Sequence, residues 1–171
     1  MNQRASSALS QMKAGGQSEI WEGAQAIVKN QNQELATQLL ALVRDSPDVE
    51  RRVAAAWALG SLRIRLALEL LILILDNPSE PPALREQAAE SLGYLSDPTA
   101  RDVLIRNLKD ENVDVIFSCA FALRTVGRPD DIPHLDRLTY DRSLTNSYGA
   151  LVAQEAREAI EQIKIRAQVP D

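Results

Sequence analysis

The chain has 171 residues, a formal net charge of −5 and a single cysteine, which is room for one domain with a real core and excludes an internal disulfide framework. Apolar residues make up 45% but aromatics only 4%, so the core must be built from Leu, Ile, Val and Ala, a helix-packing composition. There is no signal-peptide pattern, and the most apolar run, Leu66 to Leu75, is too short to span a bilayer and carries Glu69, so a soluble cytoplasmic protein without membrane attachment is expected.

Residues 1–17 are rich in Ser, Gln and Gly and lack a sustained apolar stripe, which predicts a flexible N-terminal tail with no more than one weak helical turn from Ala8 to Lys13. Ser18 can cap a first helix whose apolar face is Ile20, Trp21, Ala24, Ile27 and Val28. Glu34 to Arg44 follows as its partner, with Leu35, Leu39, Leu40 and Val43. Asp45, Ser46 and Pro47 turn the chain into a helix from Val49 to Leu62, then a greasy helix from Leu66 to Leu75 and a Pro-rich turn from Asp76 to Pro82.

Leu84 to Asp110 carries the clearest unit. Leu84, Ala88, Ala89, Leu92 and Leu95 fall on one side of a helix, Ser96, Asp97 and Pro98 stop it, and Ala100, Val103, Leu104, Ile105 and Leu108 form the buried side of the next. The small pair Ala88 and Ala89 allows a neighbouring helix to approach, and Gly93 suits a crowded or terminating position. The fourth unit reads as helices over Val113 to Val126 and Asp131 to Tyr140. A polar linker from Asp141 to Gly149 precedes a last amphipathic helix, Leu151 to Ile165, which caps the stack.

The units recur. Ala55, Ala56, Leu59 and Gly60 stand 33 residues before Ala88, Ala89, Leu92 and Gly93, and Cys119, Ala120 and Leu123 stand 31 residues after Ala88, Ala89 and Leu92. A period in this range marks a helical solenoid. The expected architecture is an all-α, right-handed α-solenoid over residues 18–166, with about four helix pairs and a C-terminal capping helix, followed by a tail over 167–171.

The order of a hydrophobic–Arg pair (Leu84, Arg85), AAxxLG (Ala88, Ala89, Leu92, Gly93), DP (Asp97, Pro98) and a closing Leu104, Leu108 and Asp110 resembles the HEAT-like repeats of the phycobilisome-lyase type. Repeat two keeps Arg52, Ala55, Ala56, Leu59 and Gly60 but has Arg63, Ile64 and Arg65 where DP is expected. Repeat four has Ile116 for the Arg and Arg124 for the Gly. The resemblance covers about residues 47–141. It implies a fold; for activity it implies only a choice, since some members attach or remove bilin chromophores and others are adaptors, regulators or inhibitors.

The residues themselves give little support to catalysis. His134 is the only histidine and reads as a partly exposed helix residue, and Cys119 takes an Ala position of its repeat and reads as a small buried residue. No metal-ligand spacing, phosphate-cradling loop or nucleophile elbow is present, and no cofactor is expected. Net charge disfavours nucleic acid, and Arg101 and Arg106 are interspersed with Asp102 and Asp110.

The repeat register points instead to surfaces. On the second helices Thr37, Glu69, Asp102 and Pro133 share one outward position, Ala41, Leu73, Arg106 and Arg137 another, and Ile74 stands where Asn107 does. On the first helices Trp57 and Phe121 take the position of Glu90 and Arg157. Exposed apolar groups at such positions form a contact surface; a local register shift would bury them instead. Arg52 and Arg85 are expected to bond to turn carboxylates or helix-end carbonyls.

The expectation is a non-catalytic protein-binding module, an adaptor or inhibitor, using Glu69, Leu73, Ile74, Asp102, Arg106, Arg137, Trp57 and Phe121 and favouring a basic protein partner. Two alternatives stand beside it. One is an immunity protein that occludes a toxin; the other is a bilin lyase, or a subunit of one, handling a tetrapyrrole. Oligomeric state is left open.

Overall fold

A computed structural model describes residues 3–141 and 143–168. The helices run α1 (Gln3–Ala14), α2 (Gln17–Lys29), α3 (Ala36–Asp45), α4 (Val49–Ser61), α5 (Leu68–Leu75), α6 (Pro82–Leu95), α7 (Arg101–Asn107), α8 (Val113–Val126), α9 (Ile132–Thr139) and α10 (Val152–Gln168). They form an α-solenoid. Successive first helices α2, α4, α6, α8 and α10 pack side by side, and α3, α5, α7 and α9 each pack on the first helix that follows.

One departure from the sequence reading is large. The stretch expected to be a tail is a twelve-residue helix, α1, packed on α2 with Ala5, Ala8, Leu9 and Met12 buried. These four recur at three- and four-residue spacing, so the stripe exists, but it is short, half of it is alanine, and it is set among Ser, Gln, Arg and Lys. Gly23 on α2 admits α1, since a Cβ there would lie 2.5 Å from the Ala8 carbonyl oxygen. Arg51 on α4 then fixes the C-terminal end of α1, donating from Nε to Met12 O and from Nη2 to Gly15 O. The chain therefore folds as five stacked hairpins, α1 standing where the second helix of a preceding repeat would. At the other end α10 runs to Gln168, beyond the expected Ile165. The remainder of the C-terminal tail, 169–171, lies outside the described residues, as do residues 1–2 of the expected N-terminal tail.

Three of the first helices, α2, α4 and α6, end in the same way, whereas α8 ends at Gly127 in extended backbone. Gln31, Arg63 and Ser96 adopt left-handed backbone with φ of 53°, 54° and 53°, and a 3-10 turn leads into the second helix. The residue after, at Asn32 and Ile64, donates its N–H back to Ile27 O and Leu59 O, so the helix carbonyls are satisfied by backbone alone. That is why Arg63, Ile64 and Arg65 can replace the DP turn without changing its path.

The helix contacts explain the repeat consensus. A Cβ on Gly60 would sit 2.6 Å from Ser91 Cβ, and one on Gly93 would sit 2.9 Å from Ala122 Cα, so glycine sets the close approach of α4 to α6 and of α6 to α8. Arg52 donates to Val43 O and, with both Nη atoms, to Glu80 at 2.7 and 2.8 Å. Arg85 donates to Glu80 O and to Asp110. The consensus arginine thus bonds to a backbone carbonyl and to an acid in the turn before the next first helix, as expected.

Candidate functional site

The second-helix ridge is present in part. Glu69, Leu73, Asp102, Arg106 and Arg137 are exposed, Leu73 at 68%. Arg106 is bonded to Asp76 at the end of α5, at 3.0 and 3.2 Å. Ile74 is not part of it, being 3% exposed. It stands one residue, about 100°, round the helix from Leu73 and joins Leu71 and Leu75 in the face that α5 lays on α6. Its counterpart Asn107 ends a shorter helix and turns back to Val103 O, so the two positions are not equivalent.

Trp57 and Phe121 belong to a different surface, on the first helices. Trp57 packs edge-on to Trp21, ring centroids 5.8 Å apart, and Trp21 Nε1 donates to Glu50. Two repeats further on, Phe121 packs edge-on to Tyr94 at 6.0 Å, and the Arg124 guanidinium lies over the Phe121 ring, 5.3 Å from its centre. Arg157 does not share this face: it donates to Thr139 O, and Glu158 stands beside Phe117 instead. No aromatic side chain belongs to the fully buried core. Of the seven aromatics, Trp21, Trp57, Tyr94, Phe117, Phe121 and Tyr148 lie along this first-helix surface, which the sequence reading credited with two.

On it lies a recess of about 350 Å³ between α6 and α8, lined by Tyr94, Phe117, Phe121, Tyr148, Glu86 and Glu90 among others. Glu90 is fully engaged: Tyr94 Oη donates to one oxygen at 2.7 Å and Gln87 Nε2 to the other at 2.8 Å. Burial and the Glu90 charge together push the Tyr94 hydroxyl up to about 12. Glu86 is half-buried, and its carboxylate accepts no hydrogen bond from the described residues. Burial, then the neighbouring charges of Asp114 and Glu90, push Glu86 up to about 7.

The linker before α10 closes one side. Asn146 Oδ1 accepts the Tyr148 and Ala150 amides, Gly149 takes φ +82°, and the Ser147 amide and hydroxyl donate to Asp114 at 2.6 and 2.5 Å. Tyr148 is held at the mouth of the recess, 83% exposed. At the far side Arg124, at the position of the consensus glycine, bonds to Glu155 and Glu158 of α10. This ion-pair cluster ties α8 to α10.

Cys119 is buried, and desolvation pushes its thiol well above the ordinary range. His134 is exposed on α9. Among the described residues no group of three or more His, Cys, Asp or Glu is placed to hold a metal ion, and no helix is long and apolar enough to cross a membrane.

The family model for HEAT repeats matches residues 68–161, more than half of the chain. The chain belongs to the HEAT-repeat family. It is 31% identical over 108 residues to phycocyanobilin lyase subunit alpha of Picosynechococcus sp., covering 59% of this chain and 40% of that protein. It is 38% identical over 69 residues to deoxyhypusine hydroxylase of Gallus gallus, covering 40% of this chain and 23% of that one. In three dimensions it is similar to a chain of the complex of CpcE and CpcF of phycocyanin lyase from Nostoc sp., with TM-score 0.75, 25% identity, and coverage of 96% of this chain and 66% of that one. An engineered protein, 19% identical, shares the fold with TM-score 0.66. The chain spans 23% and 40% of the length of these two curated relatives.

Proposed function

We propose that this HEAT-repeat chain is a protein-binding module without catalysis of its own, and that it engages its partner through the first-helix face. The observation that carries this is the placement of six of the seven aromatics on one surface outside the core. Half-buried and exposed aromatic rings interspersed with carboxylates suit a contact surface, since Trp and Tyr are enriched at binding hot spots. The relative of known structure forms a two-chain complex, which supports a protein as the partner. An adaptor, an inhibitor and an immunity protein would all use such a face.

A second reading follows from the phycocyanobilin lyase subunit: the chain is one subunit of a bilin lyase, and the aromatic face contacts a tetrapyrrole. A flat conjugated ligand stacks on exposed rings just as a protein side chain does.

The test begins with co-purification from the native host, identification of the captured protein, and reconstitution of the two purified chains by size-exclusion chromatography. A stoichiometric complex lost with Trp57→Ala and kept with Leu73→Arg supports the first-helix face, circular dichroism confirming that both variants fold. The converse pattern moves the interface to the second helices. A change in visible absorbance on adding phycocyanobilin, abolished by Trp57→Ala, favours the lyase reading.

A further inference from the structure

The recess between α6 and α8 combines aromatic rings on several sides, two carboxylates, and no lysine or arginine in its lining. An uncharged apolar occupant would strip water from Glu86 and Glu90 and return nothing. A cation returns both a charge partner and a ring contact. Glu86 is the acceptor left open, since Glu90 is already used by Tyr94 and Gln87.

Arginine fits better than lysine. Its planar guanidinium stacks on rings and presents a fork of donors to a carboxylate, whereas an ammonium is a compact, strongly hydrated charge. The chain already shows the contact on the ring concerned, because Arg124 lies over Phe121. Arg124 is itself balanced by Glu155 and Glu158, so it adds little repulsion. The net charge of −5 favours approach of a basic surface.

We infer that the recess lined by Tyr94, Phe117, Phe121 and Tyr148 receives an arginine side chain of the partner protein, its guanidinium held by Glu86. This rests on the reading of the first-helix face as the partner-binding face.

The direct test is an amide-resolved NMR titration of the full chain with N-acetyl-L-arginine amide, its uncharged isostere N-acetyl-L-citrulline amide, and N-acetyl-L-lysine amide. Saturable shifts at Glu86, Phe117, Tyr148 and Gly149 are expected with the arginine compound, weakened about tenfold by Glu86→Gln. Equal binding of citrulline, lysine binding as tightly as arginine, or no saturable shift at these residues overturns the inference. In the reconstituted complex, Glu86→Gln is expected to weaken association as Trp57→Ala does. If Trp57→Ala disrupts the complex and Glu86→Gln leaves it unchanged, the arginine site falls and the first-helix interface stands. If only Leu73→Arg disrupts it, the interface reading falls as well.

Discussion

Arg85 of α6 and Asp110, in the turn before α8, form an ion pair closed off from water, their side chains 8% and 7% exposed. Arg52 and Glu80 make the same connection one repeat earlier at 15% and 20%. The arginine of the repeat pattern is thus a tie between consecutive turns, and its removal strands a carboxylate. Arg85→Met is expected to cost about 3–5 kcal/mol, the cost of leaving a buried charge unpaired. Arg52→Met should cost less, about 1–2 kcal/mol, because water reaches Glu80. Urea unfolding of the two variants measures the difference, and equal losses would contradict the burial argument.

Gly93 faces the backbone of Ala122, which cannot move aside as a long side chain would. Gly93→Ala should therefore separate α6 from α8 and lower stability by about 1–3 kcal/mol, despite the better helix propensity of alanine. The thermal midpoint measures this. An unchanged or raised midpoint would show that the helices can slide apart without loss.

Arg63 holds φ 54° with its side chain exposed. Left-handed backbone costs a residue with a Cβ about 1–2 kcal/mol; glycine removes that strain, and only part of the gain is kept because glycine loses more freedom on folding. Arg63→Gly is expected to stabilise by about 0.5–1 kcal/mol, measured as an increased urea midpoint at unchanged slope. A lower midpoint would mean that the arginine makes a stabilising contact.

Much of the solenoid was legible because its determinants are local: paired alanines, the Gly60 and Gly93 positions, and turn residues recurring at a nearly constant interval. What was missed depends on tertiary context. The stripe of α1 consists of Ala5, Ala8, Leu9 and Met12 and becomes informative only once α2 offers Gly23 as its seat. Ile74 and Asn107 share a register position, yet α5 and α7 differ in length and end differently, so one is core and the other is not. Trp57 and Phe121 were recognisable as aromatics at one register position, though both are half-buried rather than exposed. Trp21, Tyr94, Phe117 and Tyr148 joined them only through helix packing and through a linker folded back by Asp114. Residues of one surface were also grouped with those of another, because register places a residue on its helix but does not say which layer that helix occupies.

Glu86 gives the last prediction, a pH dependence of stability. In the folded chain its carboxyl is pushed from 4.5 up to about 7, first by burial, then by the charges of Asp114 on α8 and Glu90 on its own helix. Tyr148 faces it from the linker, and its own hydroxyl is raised chiefly by the Glu86 charge. Unfolding releases Glu86 to its ordinary value, so the folded state binds the proton more tightly. The stability this contributes is fully present below about 4.5 and is lost as pH rises through about 7. Glu86→Gln carries no titrating group here and keeps the shape. The stability of wild type relative to this variant should therefore fall between pH 5 and pH 8, by about 1 kcal/mol once water access to the half-exposed site is allowed for. Urea midpoints of the two proteins at both pH values give the difference directly. A constant difference would mean that Glu86 stays ionised throughout, and that a cation entering the recess meets a carboxylate already charged.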